Sequence, residues 1–216
     1  MISNFDKYPS IEVSDRNEDC CVGWDSICSA LMKHISSNKQ DRTVVVVDCY
    51  HGVLDAEVME ALRDGLRYQA FFNSTDAFKS EKEVSMMVYP DVTDDRIFGY
   101  MTQLTLDQFF DADKLAMLRK EIEDVREGIV VVYGEGAACV AQQWDTLVYL
   151  DMARWEIQLR MRRNEISNLG VSNNNTEFSL QYKQAYFVDW RVLDKYKIGL
   201  IDQWDFVIDT NKKGNP

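Results

Sequence analysis

The stretch "VVVVDCYHGVLDAEVMEALRDGL", Val44 to Leu66, decides the fold. Its opening run of β-branched residues reads as a strand covered on both faces, the kind found in parallel sheets. Gly52 marks a turn, and Leu54, Val58, Leu62 and Leu66 recur every fourth residue as the buried stripe of a helix. Strand, turn and helix together have the shape of a phosphate-binding unit, but the residues that bind phosphate are absent. Between Asp48 and Glu57 there is one glycine, no lysine, no Ser or Thr to reach Mg²⁺, and three carboxylates, Asp48, Asp55 and Glu57. Carboxylates at a helix N-terminus fill the part an anion would otherwise play. The segment is therefore read first as a structural turn. Were it to hold an anion, His51 and the Gly52 N–H would be its donors.

The same alternation continues outward. "WDSICSALMKHI" places Trp24, Ile27, Cys28, Leu31, Met32 and Ile35 on one helical stripe and leaves His34 off it, towards solvent. "DADKLAMLRKEIEDVREG" is a helix with Leu115, Leu118, Ile122 and Val125 inward, Asp111 as N-cap and Gly128 as stop. "IVVVYGEG", "DTLVYLD" and "WDFVIDT" are further strands, and "MMVYPDVTDDRIFGYMTQLTLDQFF" has no clear period. "MARWEIQLRMRRNEI" is a helix with Met152, Trp155, Leu159 and Ile166 on one side, and "NLGVSNNNTE" is a loop by composition. "FSLQYKQAYFVDWRVLDKYKIGLI" is one long helix or a pair. Its aromatics Tyr182, Tyr186, Phe187, Trp190 and Tyr196, with Trp155, read as core. Strands alternating with helices predict an α/β fold of three layers, with a mostly parallel sheet of about five strands and helices on both faces. No internal linker is visible, so residues 1–216 are expected as a single domain. Residues 1–20 would be an irregular N-terminal segment, and 210–216 an exposed tail or the start of a linker.

Composition excludes several function classes. A net charge of −12 is a poor match to nucleic acid or an anionic membrane surface. No run approaches 18 apolar residues, and the acidic start "MISNFDKYPSIEVSDRNEDCC" is not a signal peptide. Five cysteines, an odd number in no zinc spacing, read as reduced thiols of a cytoplasmic protein. The two histidines, His34 and His51, fall on different elements, so no His-based metal site is expected. No catalytic residue and no cofactor are assigned to this chain.

The order of parts resembles the P-loop kinases of the uridine kinase and phosphoribulokinase type over about residues 43–210, as a pattern and without motif identity. In those kinases a strand ending in Glu-Gly is followed by a strand ending in Asp and an Arg-bearing helix, as in "GIVVVYGEG" and "DTLVYLDMARWEIQLRMRRN" here. "RTVVVVDCYHGV", "YPDVTDDRIFG", "DMARWEIQ" and "FVDWRVLDKYK" also resemble the region ahead of the cupin domain in class I mannose-6-phosphate isomerases of Bacteroides-type bacteria. That resemblance implies carbohydrate metabolism, with the isomerase zinc held in a cupin part following Pro216 and none held here.

Beyond the opening turn, three groups are candidate sites. The kinase resemblance implies a substrate-hydroxyl base or Mg²⁺-linked carboxylate near "DVTDDR", which holds Asp91, Asp94 and Asp95. The residues alone read equally as a helix cap or turn. Asp48, Glu135 and Asp151 all end strands, where ligands of open α/β sheets bind, although Gly-Glu-Gly is also simply a tight turn. Four arginines against two glutamates make "ARWEIQLRMRRNE" the one locally positive region. Arg154, Arg160 and Arg163 are expected phosphate donors, or members of an ion-paired helix face. The expected function is a kinase-like domain without kinase chemistry that binds a sugar phosphate or nucleotide beside an isomerase. The alternatives are an active sugar or nucleoside kinase with a nonstandard phosphate loop, and a structural module that forms homo-oligomers.

Overall fold

β1 (Arg42–Cys49) is buried without interruption from Thr43 to Cys49. Successive side chains of a strand point to opposite faces, so both faces of the sheet are covered at its centre. The computed structural model describes residues 20–37 and 40–216, so nearly all of the segment expected as irregular lies outside the described residues. Five parallel strands stand in the order β2-β3-β1-β4-β5, with β2 Ala70–Asn73, β3 Gly128–Gly134, β4 Thr146–Asp151 and β5 Phe206–Asp209. The chain runs to one side of β1 and returns to the other, so a topological switch point lies at the carboxyl end of the central strand.

The helices follow from their apolar spacing. α1 (Trp24–Ser37) buries Ile27, Cys28, Leu31 and Ile35, and α2 (Asp55–Leu66) buries Val58, Leu62 and Leu66. α4 (Ala112–Asp124) is capped by Asp111, whose carboxylate accepts from the N–H groups of Asp113 and Lys114. The other end of α4 is closed by Arg42 of β1, whose guanidinium donates to the carbonyls of Ile122 and Val125.

Three elements were not expected. β2 is four half-buried residues at the sheet edge. α3 (Glu81–Val92) lies where no period was visible. It buries only Val84 and Val88, and Pro90 in its last turn removes a helical donor. α5 (Ala137–Ala141) is a single short turn after β3. The long helical stretch is one rod: α7 (Phe178–Gln184) runs through a π turn at 185–189 into α8 (Trp190–Leu200) with helical backbone throughout.

Four local expectations are corrected. α6 (Arg154–Arg162) turns Ile157, Arg160 and Met161 inward, and Trp155 is 65% exposed. Tyr186 is likewise exposed, against the Arg191 guanidinium. His34 packs edge-on to Phe206 with centroids 5.2 Å apart. Residues 212–215 are exposed as expected, but the segment is not a free end: Pro216 accepts from the Gly23 N–H, Gly214 donates to Glu57, and the Thr210 carbonyl accepts from Arg160.

Candidate functional site

The carboxyl end of β1 is spoken for by its own neighbours. Asp48 is fully buried and accepts from the Ala138 N–H at 2.9 Å, the Gly136 N–H at 3.4 Å and the Tyr196 hydroxyl at 2.6 Å. Burial pushes its carboxyl up to about 7, and these donors only partly offset that. His51 is also engaged on both nitrogens. The indole of Trp190 can only donate, so Nδ1 accepts from it at 3.1 Å; Nε2 therefore carries the proton and donates to the Ser167 carbonyl at 2.8 Å. Gly52 has φ 90, and its carbonyl accepts from Arg160 Nη1 at 2.8 Å. A Cβ there would stand 3.1 Å from Ile157 and 3.2 Å from Ile166. The turn is thus covered by α6 and the loop after it.

Asp55 is the first residue of α2 and Ala56 follows it, so the start of this helix carries neither the lysine nor the hydroxyl of a phosphate-loop motif. The Tyr133 hydroxyl donates to Asp55 at 2.6 Å, and burial raises the Asp55 carboxyl. Glu135 sits between Gly134 (φ 113) and Gly136 (φ 76). Burial, then the charges of Asp55 and Asp48, push it up to about 8. Asp55 and Asp48 both act on Glu135 through their charge, but of the strand-end carboxylates Asp48, Glu135 and Asp151 expected on one cleft only Glu135 lines it. Asp151 stands apart, bound by Lys197 Nζ at 2.7 Å.

Asp55 and Glu135 open onto a cleft of about 650 Å³. Its walls are residues 51–56, Thr75 with Phe78–Glu81, Lys114, and the loop 165–172 with Asn174. The loop is fixed from beneath by a buried polar network. Asn168 Nδ2 donates to Asp189 at 2.6 Å and to the Gln181 carbonyl at 3.0 Å, while Gln181 Nε2 donates to the carbonyls of Ile166 and Asn173. Burial raises the Asp189 carboxyl, and the bonds from Asn168, the Leu169 N–H and Gln184 only partly offset that.

The arginines expected on phosphate are engaged elsewhere. Arg160 is 1% exposed and donates to the carbonyls of Gly52, Thr210 and Asn211, with Glu156 on its Nε. Arg163 pairs with Glu156 at 2.7 Å and Glu165 at 2.9 Å, and Arg154 with Asp194 beside the Trp190 ring. None of the three lines the cleft. Asp91, Asp94 and Asp95 also lie away from it. Asp95 makes a tight turn by accepting from the N–H groups of Ile97 and Phe98. Among the described residues, no group of three or more His, Cys, Asp or Glu could hold a metal ion.

The cleft residues that sequence reasoning missed are Lys79, Lys114 and Asn168. One signal was present: "SEKE" at 80–83 is a capping box, with the Ser80 hydroxyl and Glu83 carboxylate bonded reciprocally, and it marks the start of α3 beside Lys79.

Residues 23–216 match a family model described as Domain of unknown function (DUF8485), and the chain belongs to that family. A comparison with curated proteins found no match. Among solved structures, a putative fructose transport system kinase from Silicibacter sp. TM1040 is similar over 86% of this chain and 98% of that one, with TM-score 0.51 and 11% identity. A shikimate kinase from Bacteroides thetaiotaomicron covers 79% of this chain and 88% of its own, with TM-score 0.45 and 12% identity. The strand order and the first of these likenesses show a P-loop-kinase-like fold.

Proposed function

We propose that this member of the DUF8485 family is a small-molecule-binding domain that keeps the kinase-like architecture without nucleotide-dependent phosphoryl transfer. The carrying observation is Asp55, held by the Tyr133 hydroxyl at the first position of α2. A carboxyl at that place repels the phosphates that a lysine there would attract. The burial of His51 and the Arg160 bond to Gly52 support the same reading, because they commit the turn to packing. What the fold leaves open is the adjacent cleft, whose size suits a small polar ligand.

The test is a thermal-shift series with ATP and GTP, with and without Mg²⁺, beside a phosphoryl-transfer assay on sugars and nucleosides. A nucleotide present at 100 times its Kd would add about 2.7 kcal/mol of stability. We expect no such shift and no transfer. Mg²⁺-dependent turnover that Asp48→Asn abolishes would overturn the proposal.

The association with a mannose-6-phosphate isomerase belongs to this proposal. It is supported by the four quoted sequence stretches, and it makes the chain a binding or assembly partner of the isomerase. The purified chain is then expected not to interconvert mannose 6-phosphate and fructose 6-phosphate. Activity lost on chelation would count against it.

A further inference from the structure

We infer that the cleft takes a hydroxyl-bearing phosphomonoester and holds its phosphate at Lys79 and Lys114, away from the β1 turn. This rests on the reading above, which frees the cleft from nucleotide chemistry. The observation is a contrast in how cations are used. Arg154, Arg160 and Arg163 each meet a carboxylate within 4 Å. Lys79 and Lys114 are the two cations that line the cleft, and among the described residues neither has a carboxylate within 4 Å, although Glu83, lowered first by its bonds from Ser80, is near enough to Lys79 to be lowered by its charge as well. In a chain of net charge −12, two ammonium groups lining a cavity with no carboxylate in contact are a local attraction for an anion.

Both ammonium groups are held in place. Lys79 Nζ donates to the Gln108 carbonyl at 2.6 Å and Lys114 Nζ to the Phe78 carbonyl at 2.9 Å, so each keeps two protons for a ligand. The backbone beneath is rigid: the Lys79 N–H donates to the Phe109 carbonyl, and Phe78 pairs with Phe110 across a β-bridge. Ser80 and Glu81, at the start of α3, also line the cleft, so the positive end of that helix adds to the two lysines and Glu81 subtracts from them.

The rest of the lining has the reverse character. Asp55 and Glu135 belong to it, and Asn174 comes from the covering loop that Asn168 anchors. Carboxyl and amide groups in a cleft recognise hydroxyls, and they offer no cation to a second phosphate. A ligand with one phosphate and several hydroxyls satisfies both parts of the lining; a nucleoside triphosphate does not.

The experiment is calorimetry of the full chain with glycerol 3-phosphate, ribose 5-phosphate and glucose 6-phosphate. The comparison arms are the three unphosphorylated compounds, inorganic phosphate and ATP. At least one phosphomonoester is expected to bind, more tightly than its unphosphorylated form, inorganic phosphate or ATP, and more weakly as salt rises. Lys79→Ala and Lys114→Ala should each weaken it by about 10- to 150-fold, the loss of one charge-assisted contact, and Lys82→Ala on the outer face of α3 should not. The inference is overturned if none of the three binds, if the phosphate adds nothing, if inorganic phosphate or ATP binds as well, or if both lysine variants bind as the parent does. Those outcomes leave the proposal of no phosphoryl transfer standing; Mg²⁺-ATP turnover removes that proposal instead.

Discussion

Arg160 Nη1 donates to the carbonyl of Gly52 at 2.8 Å, and both groups are buried. This bond joins the α6 helix to the turn after the central strand and explains why an arginine stands on a buried helix face. The guanidinium fork reaches Gly52 with one nitrogen and the Thr210 and Asn211 carbonyls with another, so one side chain secures both the turn and the chain after β5.

Arg160→Ala should therefore act on stability and not on ligand affinity. It leaves buried carbonyls without donors and opens a cavity, at a cost of about 2–4 kcal/mol in urea unfolding. Arg160→Lys should recover only part, because an ammonium cannot reproduce the fork. Arg163→Ala, at a half-exposed pair, should cost under about 1 kcal/mol. Equal small effects at the two positions would return Arg160 to the surface-helix reading.

These arginines show where the sequence was legible and where it was not. The central strands could be read because burial on both faces leaves an unbroken β-branched run, as in Val44–Val47 and Val130–Val132. β2 could not, since an edge strand of four half-buried residues has neither run nor alternation. α3 hid because Ser85, Met86 and Met87 blur a stripe made only of Val84 and Val88. At the cleft, strand-end placement brought out Glu135, while Asp48 is bound within the core. A count of local charge, however, cannot tell an arginine bonded to carbonyls from one facing a ligand. Lys79 and Lys114 are 35 positions apart and meet only because residues 78–79 pair with 109–110.

The buried carboxyls set the direction of the pH dependence. Asp48 is raised to about 7 and Glu135 to about 8, from unfolded values near 4. Between those limits the folded chain binds more protons than the unfolded one, so this part of the stability is full below about pH 4 and is lost as pH rises towards 8. The exposed carboxylates with lowered values, Glu83, Asp95 and Glu165, oppose it only below about pH 4. The urea midpoint is therefore expected to fall from pH 5 to pH 8, and to fall less in Asp48→Asn. A parent midpoint that rises across this range would refute the assignment.

The covering loop provides the last prediction. Its grip on the protein runs through Asn168, whose amide donates to Asp189 and to the Gln181 carbonyl while its oxygen accepts from Asn173 at 2.9 Å. In Asn168→Ala the buried Asp189 carboxyl keeps only the Leu169 N–H and a long contact from Gln184. That group then either moves further towards its protonated form or draws water into the loop's base, and both outcomes weaken the cover. The bonds of the sheet are untouched, so the loss should be local. Hydrogen exchange is expected to quicken at residues 165–174, while β1, β3 and β4 remain protected. Because the same loop brings Asn174 to the cleft, phosphomonoester affinity should fall with it. Exchange that quickened equally in loop and sheet would mean that Asn168 supports the whole fold and that the loop is not a separate unit.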